Sequence, residues 1–173
     1  LLTLNIESNA IDGNIDLTHK SIVRSFGGNG NDCFNSVIET NDGGILAVGD
    51  SSSTNAGFTN KGGGDAVVIK YDSEGNQEWV KNFGGAKYDY FKSVIETQDD
   101  GIIAVGYSES TDIDFSNRGN KDAVIVKYDK DGDQQWVKNF GGSGYEYFES
   151  VIETHDCGIV SVGYCRSGKA GFS

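Results

Sequence analysis

The chain has 173 residues, with 25 glycines, no proline and a formal net charge of −12. This acidic balance opposes tight binding to nucleic acid or to anionic membranes, because both need cationic patches that displace counterions. No apolar run approaches the roughly 20 residues needed to cross a bilayer. We therefore expect neither a nucleic-acid partner nor membrane insertion, and the glycines favour an all-β fold with many tight turns.

Most of the chain consists of copies of one unit. The triplet Phe-Gly-Gly begins at residues 26, 83 and 140, a spacing of 57 residues, and Ser-Val-Ile-Glu-Thr recurs in each copy. More than half of the positions in 26–82 are identical in 83–139. Self-similarity at a fixed period is the signature of a repeat architecture. The chain therefore reads as a single domain of repeated units.

The predicted strands, in chain order, begin with a diverged stretch. Within residues 1–25, we predict a strand C over 1–7 and a strand D over 19–25. The first full unit, 26–82, has predicted strands A over 33–40, B over 44–50, C over 65–71 and D over 77–82. Turns rich in Asp, Asn and Gly, which accommodate positive φ, separate A from B and C from D.

The second full unit, 83–139, repeats this pattern, and residues 140–173 are predicted to supply strands A and B alone. The chain then holds two intact units and one unit divided between its ends. The strand cores are nearly continuous apolar runs, such as Ile45–Val48 and Ala66–Ile69. A continuous run indicates burial on both faces. We therefore predict a β-propeller of four-stranded antiparallel blades, about three blade equivalents per chain.

The repeat resembles a known family. Its pattern F-G-G, then S-V-I-E-T-x-D-x-G-I-x-A-V-G, then D-A-V-x-x-K-Y-D-x-x-G-x-Q-x-W-V-K-N is similar to repeats of bacterial secreted and cell-surface β-propellers. These are loosely similar to the quinoprotein-like propellers. The resemblance covers 26–173 closely and 1–25 weakly. It implies a secreted or cell-surface location.

The resemblance also implies how one blade docks on the next, through an Asp/Gly turn followed by Trp. The matching residues are Asp72, Gly75 and Trp79 in one unit, and Asp129, Gly132 and Trp136 in the next. Ile22 stands where Trp would be expected in the diverged stretch, which makes the first junction unusual.

Propellers usually have four to eight blades, so three do not close a ring comfortably. We expect either a segment of a longer chain or a homo-oligomer. The oligomer we predict is a two-fold dimer that closes a six-bladed ring, in which terminal strands complete shared blades.

Candidate ligand-binding residues lie in the D–A and B–C loops, which emerge at one end of each blade. Variable loops on a fixed scaffold are where binding sites usually arise. The D–A loops contribute Asp32, Tyr88, Asp89, Tyr145 and Glu146, and aromatic residues beside acids suit a carbohydrate or protein ligand. The B–C loops, 51–64 and 108–121, carry Phe58 and Phe115, and Phe172 follows in the third copy. These phenylalanines either contribute to binding or pin the loops.

One turn resembles part of a calcium loop. It contains Asp129, Asp131 and Asp133, but a calcium site needs six to eight oxygens and the EF-hand pattern needs a downstream Glu, where Gln134-Gln135-Trp136 stands here. A plain hairpin turn is favoured, with calcium as the alternative. We predict no other cofactor.

Catalytic patterns are weak. Glu39, Glu96 and Glu153 recur in every unit, which favours packing or turn hydrogen bonds over a glycosidase pair. His155 lies in an A–B turn without a Ser nucleophile on a glycine elbow. We therefore predict no catalytic residues and a non-catalytic binding or scaffold module. The alternatives are a propeller enzyme, either a glycosidase or a quinoprotein-type dehydrogenase, and a self-associating structural repeat.

Overall fold

A computed structural model describes residues 25–112 and 117–168. The predicted all-β fold is confirmed, since this part of the chain consists of strands and connections without helices. No segment of it forms a helix that could span a membrane. The strands are β1 (Asp32–Glu39), β2 (Ile45–Ser51), β3 (Asp65–Tyr71), β4 (Gln77–Phe83), β5 (Asp89–Glu96), β6 (Ile102–Ser108), β7 (Asp122–Tyr128), β8 (Gln134–Phe140), β9 (Glu146–Glu153) and β10 (Ile159–Cys165).

The strands form three antiparallel sheets. β1 to β4 make a four-stranded first sheet and β5 to β8 a four-stranded second sheet, each ordered as in the sequence. β9 and β10 pair to form a third sheet. In the first unit, the strands begin and end within one residue of the predicted positions. The predicted strands in 1–25 lie outside the described residues except for Ser25, as do Phe115 and Phe172.

Antiparallel order gives each sheet two distinct ends. The B–C and D–A loops lie at one end, which we call the loop end, and the short A–B and C–D turns lie at the other, which we call the turn end. At the turn end of the first sheet, the Lys70 ammonium lies 2.9 Å from the Asp42 carboxylate. In the second sheet, Lys127 lies 2.6 Å from Asp99. A lysine at the equivalent position of strand C therefore forms an ion pair with the A–B turn in both sheets.

The middle strands are buried on both faces, as their continuous apolar runs predicted. Leu46 and Val48 of β2 pack into one hydrophobic cluster, whereas Ile45 and Ala47 pack into another. This division follows from the strand geometry, because successive side chains point to opposite faces of a sheet. Phe58, from the loop between β2 and β3, is 2% exposed and belongs to the second cluster. Its burial supports the pinning role.

The sheets pack face to face through equivalent residues. Val48 of the first sheet shares a cluster with Phe91 and Val94 of β5. Val105 of the second sheet shares a cluster with Val151 of β9. Val48 and Val105 occupy the same repeat position, as do Val94 and Val151. The two junctions between sheets are therefore built alike.

A β-bulge shapes the loop end of each A–B pair. In the first sheet the register shifts between Phe34 and Ser36. Gly49, Gly106 and Gly163 lie opposite the equivalent bulges, and an added Cβ at any of them would overlap the facing carbonyl oxygen. This close approach explains why all three units have glycine at that position. The bulge also sets how the last residues of strand B align with the start of strand A.

Candidate functional site

The first candidate carboxylate, Asp32, lies at the loop end, at the start of β1. Its Oδ1 accepts a hydrogen bond from the Ser51 hydroxyl at 2.5 Å. Its Oδ2 accepts from the Gly28 backbone N–H at 2.7 Å and from the Ser53 hydroxyl at 3.1 Å. Asp32 thus joins the loop that precedes β1, through Gly28, to the start of the B–C loop.

Asp89 has the same role in the second sheet. It accepts hydrogen bonds from the hydroxyl of Ser108, from the hydroxyl of Ser110 at 2.7 Å and from the Gly85 N–H at 3.0 Å. Burial raises its pKa, while these three donors act in the opposite direction. Asp89 is fully buried, and its carboxylate joins the D–A loop to the B–C loop. We call a carboxylate in this position a bracing acid.

Glu146 is the bracing acid of the third sheet. Its Oε1 accepts from the Ser167 hydroxyl at 2.6 Å, and its Oε2 accepts from the Gly142 N–H at 2.8 Å. The longer Glu side chain keeps the glycine N–H and one serine hydroxyl, whereas Cys165, with its Sγ 3.9 Å from Oε1, stands where the first two sheets have the other serine. The structure therefore joins each of the three predicted acids to its own unit and not to a common ligand pocket. Their contribution to ligand binding stays a prediction.

The two predicted tyrosines are placed differently from the acids. Tyr88 is 47% exposed and Tyr145 is 40% exposed, at equivalent positions in two D–A loops. Each forms an isolated parallel bridge to the preceding sheet's B–C loop, Tyr88 with Gly64 and Tyr145 with Lys121. Their backbones are therefore fixed while their side chains reach solvent.

Tyr88 is the first of five tyrosines whose rings lie in a row, an arrangement that was not predicted from the sequence. The ring centroids of successive members are 4.8 to 6.3 Å apart. Tyr90 and Tyr107 are cross-strand partners in the second sheet, as are Tyr147 and Tyr164 in the third. We call this set the tyrosine row; its members in order are Tyr88, Tyr90, Tyr107, Tyr147 and Tyr164. It crosses from the second sheet to the third at the loop end.

Charged groups flank the tyrosine row. The Lys121 ammonium lies 4.1 Å from the Tyr107 ring centroid and 3.1 Å from the Glu109 carboxylate. Burial, with Asp50 adding to it, raises the pKa of Tyr90 to about 12. Burial also raises the pKa of Asp50 to about 6. The Tyr90 hydroxyl is therefore neutral at physiological pH and can both donate and accept hydrogen bonds.

A signal for the row is visible in the sequence once its geometry is known. Tyrosine follows the bracing acid at position 90 and again at 147, and it ends the apolar run of strand B at 107 and 164. The first unit has Cys33 and Asp50 at these positions. The row is therefore confined to the second and third sheets.

The turn considered for calcium is closed by its own hydrogen bonds. The Asp129 Oδ1 accepts from the backbone N–H groups of Asp131 and Asp133 at 3.0 and 2.9 Å. The Asp131 carboxylate lies 2.8 Å from Lys130, and the Asp133 carboxylate lies 2.9 Å from Lys81. Across the described ranges, no group of three His, Cys, Asp or Glu side chains is arranged to hold a metal ion.

The recurring glutamates join neighbouring sheets at the turn end. Glu96 accepts a hydrogen bond from the Asn41 N–H of the first sheet at 2.7 Å. Glu153 accepts from the Gln98 N–H of the second sheet at 2.8 Å. Their position on the repeat thus has a packing role. His155, in the third A–B turn, is exposed.

Comparison with protein-family models and with curated proteins gives no match to this chain.

Proposed function

We propose that this chain is a segment of a β-propeller that serves as a non-catalytic binding or scaffold module. Two like junctions support the architecture, because each sheet packs on the next through the same repeat positions. Stacking of four-stranded antiparallel sheets in one direction is how propeller blades pack. The resemblance in sequence adds a secreted or cell-surface location to the proposal.

The tyrosine row is the observation that carries the proposed ligand face. The three acids at the loop end are occupied by internal hydrogen bonds, so an incoming ligand would meet the aromatic side chains instead. Tyr88 and Tyr164, at the two ends of the row, are 47% and 45% exposed. Tyrosine combines a large apolar ring with a polar tip, which suits surfaces that are partly wet.

A carbohydrate is the ligand class that this surface fits best, with a protein segment as the second candidate. A sugar presents an apolar C–H face to an aromatic ring and hydroxyls to nearby polar groups. Lys121 and Glu109 stand beside Tyr107 and can supply such hydrogen bonds. The net charge of −12 disfavours polyanionic ligands.

A glycan array probed with the labelled protein tests this proposal. We expect binding to a limited set of neutral glycans. Replacing Tyr88 or Tyr164 with Ala should weaken that binding about tenfold, since an aromatic contact is worth roughly 0.5–1.5 kcal/mol beyond the area it buries. The affinity for each selected glycan is then measured by calorimetry.

Trp136→Ala provides a matched control, because Trp136 is another exposed aromatic residue, near the turn end. It should leave glycan affinity unchanged. Absence of glycan binding by the native protein would contradict the carbohydrate assignment. Equal losses in all three variants would place the binding surface elsewhere.

A further inference from the structure

The third sheet presents an uncovered apolar face. Three side chains on one face of β9 and β10 are between 46% and 60% exposed. They are Ile152, Val160 and Val162. We call this set the tail face. The equivalents of Val160 and Val162 in the second sheet, Ile103 and Val105, are 1% and 0% exposed, and both share a cluster with Val151 of the third sheet.

The first sheet presents the complementary uncovered position. Val37 of β1 is 53% exposed, although its equivalents Val94 and Val151 are 2% and 4% exposed. Those equivalents are buried because each packs against the preceding sheet. We call the exposed side chains of Val37 and Glu39 the head face. The head face offers the strand A valine and glutamate that each following sheet offers at an occupied junction. The neighbouring positions of the same face in strands B and C, Ile45, Ala47, Val67 and Ile69, are already buried.

A hydrogen bond completes the match between the two faces. At both occupied junctions, the recurring glutamate of one sheet accepts from a backbone N–H in the A–B turn of the preceding sheet. Glu39 is the glutamate of the first sheet, and it has no such donor among the residues that the structure describes. His155 is the matching turn residue of the third sheet, at the position of Asn41 and Gln98.

We propose that the tail face binds the head face of a second copy of this chain. In that complex Val37 packs against Val160 and Val162, and Glu39 accepts a hydrogen bond from the His155 backbone N–H. The partner is another copy because the covered junctions within the chain are formed by residues at the equivalent positions of the repeat. Contiguous apolar patches of this kind mark interaction surfaces. The contact is head to tail, so it closes a ring or extends into a chain of copies.

Two single-face variants test the proposal. Val37→Lys blocks the head face and Val162→Lys blocks the tail face; both sites are exposed, so the fold should tolerate a lysine. The native protein should self-associate at about 100 µM in light scattering coupled to gel filtration. Each variant alone should be monomeric, because a buried, unpaired ammonium group opposes the junction. A mixture of the two should form a one-to-one dimer through its single intact pair of faces.

Gln77→Lys is the matched control, because Gln77 is an exposed strand residue on β4, outside both faces. This variant should associate like the native protein, and circular dichroism should show all variants folded. A native protein that stays monomeric overturns the proposal. So does association that survives both single-face substitutions, or a mixture of the two variants that yields only monomers.

Discussion

Two buried aspartates begin the C strands of the two complete sheets. The Asp65 Oδ2 accepts from the Lys61 N–H at 3.1 Å, but its Oδ1 has no donor among the described residues. Burial raises the pKa of Asp65 to about 6, and the nearby Asp89 carboxylate adds to the effect. Asp122 likewise has a pKa raised mainly by burial. The ionised carboxylate of Asp65 therefore destabilises the folded state at neutral pH.

Asp65→Asn should stabilise the protein at pH 7.5. The folded pKa of about 6 lies above the usual 3.8, so the stability linked to Asp65 is fully present below pH 3.8 and is lost as pH rises through 6. A two-unit difference corresponds to up to about 3 kcal/mol. We expect a gain of about 1–3 kcal/mol in the free energy of unfolding by urea at pH 7.5. The gain should shrink towards zero as the pH falls to 4.

Asp42→Asn is the control, because it should change the free energy of unfolding in the opposite direction. Hydrogen bonds from the Thr40 hydroxyl and from Lys70 lower the pKa of Asp42 to about 2. Its contribution is therefore present above pH 3.8 and lost as pH falls through 2. Asp42→Asn should destabilise the protein modestly at neutral pH, because Asp42 is largely exposed. A loss of stability in Asp65→Asn at pH 7.5 would contradict the assignment.

At the scale of elements, the β7–β8 turn docks on the first sheet. A Cβ built on Gly132 would lie 3.1 Å from the Trp79 ring and 2.8 Å from the Lys81 side chain. Asp133 of the same turn lies 2.9 Å from the Lys81 ammonium. The Asp/Gly turn of the second unit therefore lies against Trp79 of the first, and both belong to the residues that the sequence resemblance associates with contacts between units. The turn thus joins two sheets as well as two strands.

Gly132→Ala should destabilise the protein through both backbone strain and lost docking. Gly132 has φ of 78°, which favours glycine. Gly43 has φ of 77°, yet a Cβ there would meet only Ser73, at 3.6 Å. Gly43→Ala should therefore show the backbone cost alone, about 1 kcal/mol. Gly132→Ala should cost about 1–3 kcal/mol more, because the added methyl crowds the Trp79 ring and the Lys81 side chain, which must shift to accommodate it.

Chemical denaturation of both variants measures this difference. Equal losses would mean that the turn does not press on the first sheet. The Trp79 fluorescence gives a second readout, since a displaced turn exposes that ring to water.

At the scale of the molecule, the repeat made the strands predictable. A period of 57 residues, turn residues at fixed offsets and apolar runs placed every strand of the first unit to within one residue. Burial of both faces of the middle strands also followed from their continuous apolar runs, because an alternation of apolar and polar residues would have indicated one solvent-exposed face. The bracing role of Asp32 did not follow. Its partners lie 19 and 21 residues away and meet it only through the A–B register and its bulge.

The tyrosine row was missed for a related reason. Tyr107 and Tyr147 are in contact, with ring centroids 6.0 Å apart, but they occupy different positions of the repeat. Only the packing of the second sheet on the third brings the end of one strand B beside the start of the next strand A. A search for residues conserved between repeats favours recurring positions, and the first unit has Cys33 and Asp50 there.

A crystal structure of the native protein would test the proposal that successive sheets stack as propeller blades. We predict that one rotation about one axis carries the first sheet onto the second and, applied again, carries β5–β6 onto β9–β10. We also predict that β1, β5 and β9 lie on the side nearest that axis. Sheets related by two different rotations, or paired as a two-layer sandwich, would contradict it.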